Sequence, residues 1–491
     1  MSEVENELSK SRLAKLESLK SRGIDPYPSR FRRTHTSIEA ITAYEESESS
    51  TESTLESMSL CGRIMARRSM GRATFLDISD RTGKIQALFR ANLLDDKYQI
   101  LEDIDLGDWL GIMGKPFRTK TGQVTIQVET FQILCKAIKP LPEKWHGLTD
   151  VETRYRQRYL DLISNDKSLQ TAITRSQIVS FIRRFMDKKE FIEVETPILV
   201  PVAAGGMAHP FITHHNTLNR DLFLRIATEL HLKRLIVGGL ERVYEIGRVF
   251  RNEGVDQQHN PEFTTMESYE AFADYKDVML MVEQMVSQLA LETTDAMVVD
   301  YGDIKLDFSP PWPRYDLRSK ILETSGIDFT EHTDADTLAK AMSSKGIDVR
   351  NQVSWGGLLD KLISEKLEPT LIQPCFLIDY PLPMSPLAKR TSDDPTIVER
   401  FEGFVYGMEI CNAFSELNDP IDQRKRFEEQ EELHRKFAEE EMDRLDEDFL
   451  TAIEHGMPPT GGLGIGIDRL TMLLTNNKSI REVILFPQLR N

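Results

Sequence analysis

Apolar and polar positions alternate with a period of two over several short runs in the first third of the chain. LCGRIMARR, TFLDISD, KIQALFR, WLGIMGKPFRT and QVTIQVETFQIL lie between about Ser59 and Ala137, parted by the turn signals RTGK and KTGQ. Alternation places successive side chains on opposite faces of a strand, so five short strands are expected. A helical pattern sits between the third and fourth. Together they predict a small Greek-key barrel of the OB-fold type. On its second strand Phe75, Asp77 and Ser79 share a face, with Arg63 and Gln86 on neighbouring strands. Such barrels bind single-stranded nucleic acid with aromatic and basic residues on a strand face.

Elsewhere the period changes. Residues 4–22 set Leu8, Leu13, Leu16 and Leu19 among charges, an amphipathic helix ended by Gly23 and PYP. Residues 34–58 are rich in Ser, Thr and Glu, with a helix near Ser37–Tyr44 and a flexible link after it. Beyond the linker KPLPEKWHGLTDVETRYRQRYLDLI come a long helix, strands, helices and strands again, which fits an α+β domain around an antiparallel sheet. In SQIVSFIRRFMDKKEFIEVETPIL, Ile178, Ile182 and Phe185 recur at i, i+4 and i+7, widened by Val179 and Met186. Residues 314–372 are mainly helical and read as an insertion. The expected division is an N-terminal helical extension and linker (1–58), the barrel (59–140), a second linker (141–155) and the α+β domain (156–491).

A chain of 491 residues, 40% hydrophobic and 29% charged, has the composition of an ordinary soluble protein with more than one core. No apolar run approaches the roughly 20 residues of a membrane span, and MSEVENELSKSRLAKLESLK is too polar for a signal peptide. Cys61, Cys135, Cys375 and Cys411 are far apart and without metal-ligand spacing, so reduced thiols and a cytoplasmic location are expected. The net charge of −18 excludes nonspecific coating of nucleic acid. The charge is unevenly spread: residues 55–144 carry 14 Lys/Arg against 11 Asp/Glu, whereas 428–448 carry 3 against 11 and read as a solvated helical face. A specific RNA partner on the barrel stays open.

The densest chemistry lies in EIGRVFRNEGVDQQHNPEFTTMESY, a strand, a polar turn and a second strand. Phe263, Thr265, Glu267 and Tyr269 share one face, and the turn holds Arg251, Glu253 and His259. An anion-binding arginine beside a stacking ring suits a nucleotide, and the carboxylate beyond suits a cationic group. In RIATELHLKRLIVGG, Thr228 reads as an N-cap and Gly238 and Gly239 as the stop. Glu229, in the first turn, either offsets the helix dipole or meets a ligand. In RFEGFVYGMEICNAFSELNDP, Asn412, Phe414 and Glu416 share a strand face. Glu409 faces the other way unless a bulge or strong twist intervenes. Finally, GGLGIGIDRLTMLLT is a glycine-spaced strand entering a helix with Asp468 and Arg469 at its start. No Gly-Lys-Ser/Thr follows, so it is not a Walker A loop.

HNPEFTTMESY resembles motif 2 of the class II aminoacyl-tRNA synthetases in its lysine-specific form. Motif 2 then spans about 222–272, motif 1 about 175–200 and motif 3 about 461–475. With the barrel in front, the resemblance to bacterial-type class II lysyl-tRNA synthetases covers nearly the whole chain. It implies the class II synthetase fold and the activity of a lysine-tRNA ligase, taking L-lysine and ATP to lysyl-adenylate and then charging tRNA(Lys). Arg251 and Arg469 would be catalytic, and ATP would meet Arg251, Glu253, His259, Phe263 and Arg469. Lysine would meet Gly205, Glu229, Glu267, Tyr269, Asn412, Phe414 and Glu416. Several Mg2+ ions would be held by Glu402, Glu409 and the phosphates. Arg63, Phe75 and Gln86 would read the anticodon, with Glu129 one residue from the place of a base-reading glutamate. Motif 1 would form a homodimer interface and bury the stripe of Ile178, Ile182 and Phe185. His209 stands where the family has an arginine and is given no role. The alternatives are an aspartyl- or asparaginyl-tRNA synthetase, or a synthetase-like RNA-binding protein without catalysis.

Overall fold

The structure, a computed structural model, describes residues 3–49, 55–142, 148–205, 208–350, 352, 354–437 and 445–489. Parts of the two expected linkers, Gly206 and Met207, and residues 438–444 of the acidic run lie outside them. The chain divides into two compact units, Met1–Leu148 and Thr149–Asn491. Among the described residues no helix is long and apolar enough to cross a membrane.

In the first unit β1 (Met58–Met70), β2 (Ala73–Ser79), β3 (Lys84–Arg90), β4 (Trp109–Arg118) and β5 (Val124–Cys135) close into a barrel in the order β1-β2-β3-β5-β4. Inward residues such as Ile64, Ile78, Phe89, Ile112 and Ile126 fill it. The helix Glu3–Ser21 buries Leu16 and Leu19, while Leu8 and Leu13 stay exposed, so only half of the expected stripe is used. The helix Ser37–Glu48 runs four residues past Tyr44 and opens on a capping box between Thr36 and Glu39. The register of β4 against β5 slips at Glu129, a bulge whose carboxylate accepts from the Ser57 hydroxyl at 2.7 Å.

The second unit is built on β6 (Ile192–Glu193), β10 (Arg242–Phe250), β11 (Glu262–Ala271), β14 (Arg314–Asp316), β15 (Cys375–Pro381), β16 (Ile397–Val405), β17 (Met408–Ser415) and β18 (Thr460–Gly466). Between these lie a three-stranded sheet, β7 (Leu199–Val200), β8 (Ile212–His215) and β9 (Arg220–Leu224), and a hairpin, β12 (Val298–Tyr301) with β13 (Ile304–Asp307). The main sheet has the order β14-β15-β16-β17-β18-β11-β10-β6 and is antiparallel except for its two outermost pairs, β14/β15 and β10/β6.

One face of the sheet is the core. Met266, Phe401, Ala413 and Ile465 meet the helices Asp166–Lys188 and Tyr275–Thr294 there. This corrects the expectation that the stripe is buried in a dimer interface, because Ile178, Ile182 and Phe185 are buried within this core. A stripe at i, i+4 and i+7 is what any helix needs to sit on its own sheet, so it says nothing about a partner. Exposed apolar side chains from β6 to β8 include Ile192, Ile198, Leu199 and Ile212. Residues 314–316 are the edge strand β14 and not part of a helical insertion. The chain between β14 and β15 is mainly helical and packs Leu317, Leu338 and Leu358 against Leu377, Val398 and Phe404 of the sheet.

Candidate active site

Paired residues on neighbouring strands share a face, so the register lays out the floor of the site. Glu267, Gly464, Asn412 and Glu402 form one row across β11, β18, β17 and β16, and Tyr269, Gly462, Phe414 and Arg400 form the next. The middle of each row is bare, and the two glycines differ in why. A Cβ on Gly462 would strike Glu416 Oε1 and come within 2.7 Å of the Tyr269 ring, so packing demands glycine there. A Cβ on Gly464 would meet nothing closer than 3.8 Å. Its bareness leaves floor space for a ligand.

Glu409 reaches this face through the bulge that strand parity calls for. The register passes from Gly403–Cys411 to Phe404–Glu409, leaving Ile410 as the extra residue. The floor and surrounding loops enclose a cavity of about 640 Å³. Every residue assigned to ATP, lysine or metal lines it: Arg251, Glu253, His259, Phe263, Arg469, Gly205, Glu229, Glu267, Tyr269, Asn412, Phe414, Glu416, Glu402 and Glu409.

At one end the cavity is apolar-walled and acidic. Thr228 precedes the helix Glu229–Val237, but its side chain does not cap it. Its N–H instead donates to both oxygens of Glu267, at 3.4 and 3.2 Å. The helix ends before Gly239, whose φ of +95° is open to glycine at little cost. Burial pushes Glu267 up to about 7, and the Glu229 charge adds to this against the pull of Thr228 and Arg251. Burial also raises Glu416, and raises Tyr269 with help from the three carboxylates around it. Lys233, one turn beyond Glu229, is fully buried and donates to Glu229 at 2.5 Å while ion-pairing with Glu416.

The other end is basic and acidic by turns. The Arg251 guanidinium lies 5.2 Å from the Phe263 ring centroid. Arg469 donates to the Glu409 carbonyl at 2.5 Å, and its other terminal nitrogen is 3.5 Å from His259, which is held by Asp256 at 2.8 Å. Glu402 accepts from Arg400 at 2.5 Å and from the Tyr380 hydroxyl at 2.6 Å. Burial nevertheless pushes it up to about 7, Arg400 opposing and Glu409 and Asp360 adding. Glu368 also rises to about 7, through burial and then Glu402, Glu409 and Asp360. Among the described residues no three His, Cys, Asp or Glu groups are placed to hold a metal ion by themselves. An excess of crowded carboxylates without a closed cage fits Mg2+, which keeps waters and takes phosphate oxygens.

The residues missed from sequence divide by signal. Lys233 follows Glu229 at i+4, a spacing that pairs side chains on a helix. Arg400 shares the strand parity of Glu402. Asp360 and Glu368 come from the insertion, and no local pattern announces them. Asp468 accepts from the Thr264 N–H at 2.7 Å and pairs with Arg175 at 2.8 Å, so one carboxylate ties the first residues of the helix Ile467–Leu474 to β11 and to the helix Asp166–Lys188.

On the barrel, Phe75 is half-buried on the outer face, and Gln86 lies opposite Asp77 with its Oε1 accepting from Thr125 at 3.0 Å. Arg63 is not beside them. It pairs with Ser79, four residues along β2 from Phe75, and its guanidinium sits 5.0 Å from the Trp109 ring while donating to the Gly107 carbonyl at 2.9 Å. Arg68 stands directly opposite Phe75, exposed and paired with Asp77 at 2.9 Å. The length of β1 keeps Arg63 away from the ring, and a register slip between Ile64 and Ala66 brings Arg68 opposite it.

Comparison with known proteins identifies the family. A family model for tRNA synthetases class II (D, K and N) matches residues 150–490, and one for an OB-fold nucleic acid binding domain matches 58–134. The chain belongs to the class II tRNA synthetases. Among its relatives, the lysine–tRNA ligase of Dehalococcoides mccartyi is 54% identical over 488 residues, 99% of this chain and 98% of its own. The lysine–tRNA ligase of Carboxydothermus hydrogenoformans is 50% identical over 486 residues, 99% and 98%. That of Bacillus subtilis is 48% identical over 479 residues, 97% and 96%.

Proposed function

We propose that this chain joins L-lysine to tRNA(Lys) in two steps at the cavity described above. A lysine carboxylate oxygen attacks the α-phosphorus of ATP, and pyrophosphate leaves. A ribose hydroxyl of the terminal tRNA adenosine then attacks the lysyl carbonyl, and AMP leaves. The carboxylate is already a nucleophile, so the residues need only position the reactants and spread charge. Phe263 stacks on adenine, with Glu253 and His259 beside it. Arg251 meets the α-phosphate and the substrate carboxylate, and Arg469 the terminal phosphate. Glu402 and Glu409 would hold Mg2+, which supplies positive charge to the phosphates when bound. Glu229 takes the α-ammonium, and Glu267, Tyr269 and Glu416 the ε-ammonium, with Gly205, Asn412 and Phe414 completing the wall.

The observation that carries this reading is the buried acidic end of the cavity. Glu267 is pushed up to about 7 by burial, with the neighbouring Glu229 carboxylate adding to it, and a substrate ammonium relieves that strain. An aspartate would add a negative charge there, and an asparagine would neutralise none. The test is amino-acid-dependent ATP–pyrophosphate exchange across a panel of amino acids. Lysine alone should support it, and equal exchange with aspartate or asparagine would rule the assignment out.

The barrel would read the anticodon through Phe75 and Gln86. Phe75→Ala should cost about 1–3 kcal/mol in tRNA use, the size of one base–aromatic stack. Exchange without tRNA should be unchanged; a variant that lost exchange but kept tRNA binding would end this division of labour. We assign the protein to the cytoplasm as a homodimer whose interface covers the exposed side chains Ile192, Ile198, Leu199 and Ile212. Sedimentation should give twice the 56.3 kDa chain mass, and a fully active monomer would refute the dimer.

A further inference from the structure

The amino-acid end of the cavity already contains a lysine side chain. Lys233 has no exposed surface, and its ammonium touches Glu229 and Glu416, two of the carboxylates assigned to the substrate. The rings of Tyr269, Phe414 and Phe449 surround it with centroids at 5.9, 5.4 and 5.9 Å. Burial alone would depress its pKa, but Glu229 and Glu416 outweigh burial and hold it above the ordinary value. It is therefore a fixed positive charge inside the pocket.

A buried lysine between two glutamates has an ordinary explanation, which is to pin a helix to a sheet. Two observations go beyond it. The ammonium does not saturate its partners: it meets Glu416 through Oε2 alone, the buried Oε1 has no hydrogen-bond partner, and burial raises Glu416 despite Lys233. The carboxylates it meets also line the cavity instead of facing packed core. The charged and titratable groups facing the cluster are Glu229 on the same helix, Glu267 and Tyr269 on β11, and Glu416 just past β17, with Arg251 acting on Glu267.

We propose that Lys233 is a specificity-determining residue, a resident counter-ion that sets the charge of the amino-acid pocket to match lysine. The inference rests on the lysine reading above. When all are ionised, Glu229, Glu267 and Glu416 carry three negative charges, and Lys233 neutralises one. Two remain, and lysine brings two ammonium groups while its carboxylate goes to Arg251. A neutral amino acid brings one ammonium and leaves a buried carboxylate uncompensated. Without Lys233 the pocket is one negative charge too many, so it takes up a proton that lysine binding must then expel.

The test is the pH profile of the lysine KM in pyrophosphate exchange, for the full chain and for Lys233→Met. In the unaltered protein the lysine KM should fall as pH rises and level off above about 7, where Glu267 becomes ionised. Removing the cation in contact with Glu229 and Glu416 should raise the titration of these two carboxylates by about one to three pH units. The lysine KM should then level off only at a correspondingly higher pH, with the ATP KM unmoved. A profile with the same midpoint, or a lower lysine KM in the variant, would overturn the inference. If Lys233→Met has no cooperative melt, Lys233→Gln keeps a donor for Glu229 and is read by the same criterion. Absence of lysine-dependent exchange in the unaltered protein would refute the function itself, whereas lysine use with an unmoved midpoint would refute only the role of Lys233.

Discussion

Arg251→Ala should lower kcat for lysine-dependent exchange by about 10²–10³, the scale of losing one preorganised donor to developing charge. The side chain is exposed in a polar loop and stacked on Phe263, and it makes no ion pair with a described residue. A guanidinium in that state is free to take a new anion and contributes little to folding. The melting temperature should therefore stay within about 1–2 °C, since exposed substitutions are usually worth under about 0.5 kcal/mol. Both readouts are needed, because a melted variant would also lose exchange. Near-normal exchange from a folded variant would remove Arg251 from the phosphate site.

Glu267→Gln should weaken lysine use by about 2–4 kcal/mol, the cost of removing one partner of a desolvated charge pair. The same substitution has an opposite effect on stability. The carboxyl stands at about 7 when buried, against an ordinary 4.5. Between those values the unfolded chain binds fewer protons than the folded one, so stability is lost as pH rises through that window. The ligand-free cost above pH 7 is about 3 kcal/mol, from roughly 1.36 kcal/mol per pH unit. Glu267→Gln should thus melt higher than the unaltered protein at pH 8 without lysine, and about equally at pH 4. A lower melting temperature at pH 8 would show that the carboxylate is not strained when the pocket is empty.

How much of the fold and site is legible in the sequence depends on the range of the forces involved. Parity along β11 places Phe263, Thr265, Glu267 and Tyr269 on one face, because strand geometry is local. The glycines of β18 and the helix after Gly466 are equally visible. Where Glu409 points is not, since a bulge at Ile410 is settled by the pairing of two strands. The stripe of Ile178, Ile182 and Phe185 is visible as a stripe, but periodicity does not say what covers it. Arg63 and Phe75 share a face but stand at opposite ends of the β1/β2 pairing, and a register slip in β1 leaves Arg68 opposite the ring. Lys233 is visible as the partner of Glu229 at i, i+4, but such a pair ordinarily belongs to a solvated surface, so its burial is not.

The two glycines at the centre of the floor fail differently when altered, and this separates what keeps the protein folded from what keeps it useful. At Gly462 a methyl group collides with Glu416 and Tyr269, so fold and pocket go together. At Gly464 the protein has room for a methyl, and alanine would also restrict the unfolded chain, which favours the folded state by about 0.4–1 kcal/mol. Gly464→Ala is therefore the substitution that a screen for thermal tolerance would keep and a screen for lysine or ATP affinity would discard. A lineage selected only for robustness would drift toward it and arrive at a well-folded protein with no place for its substrate.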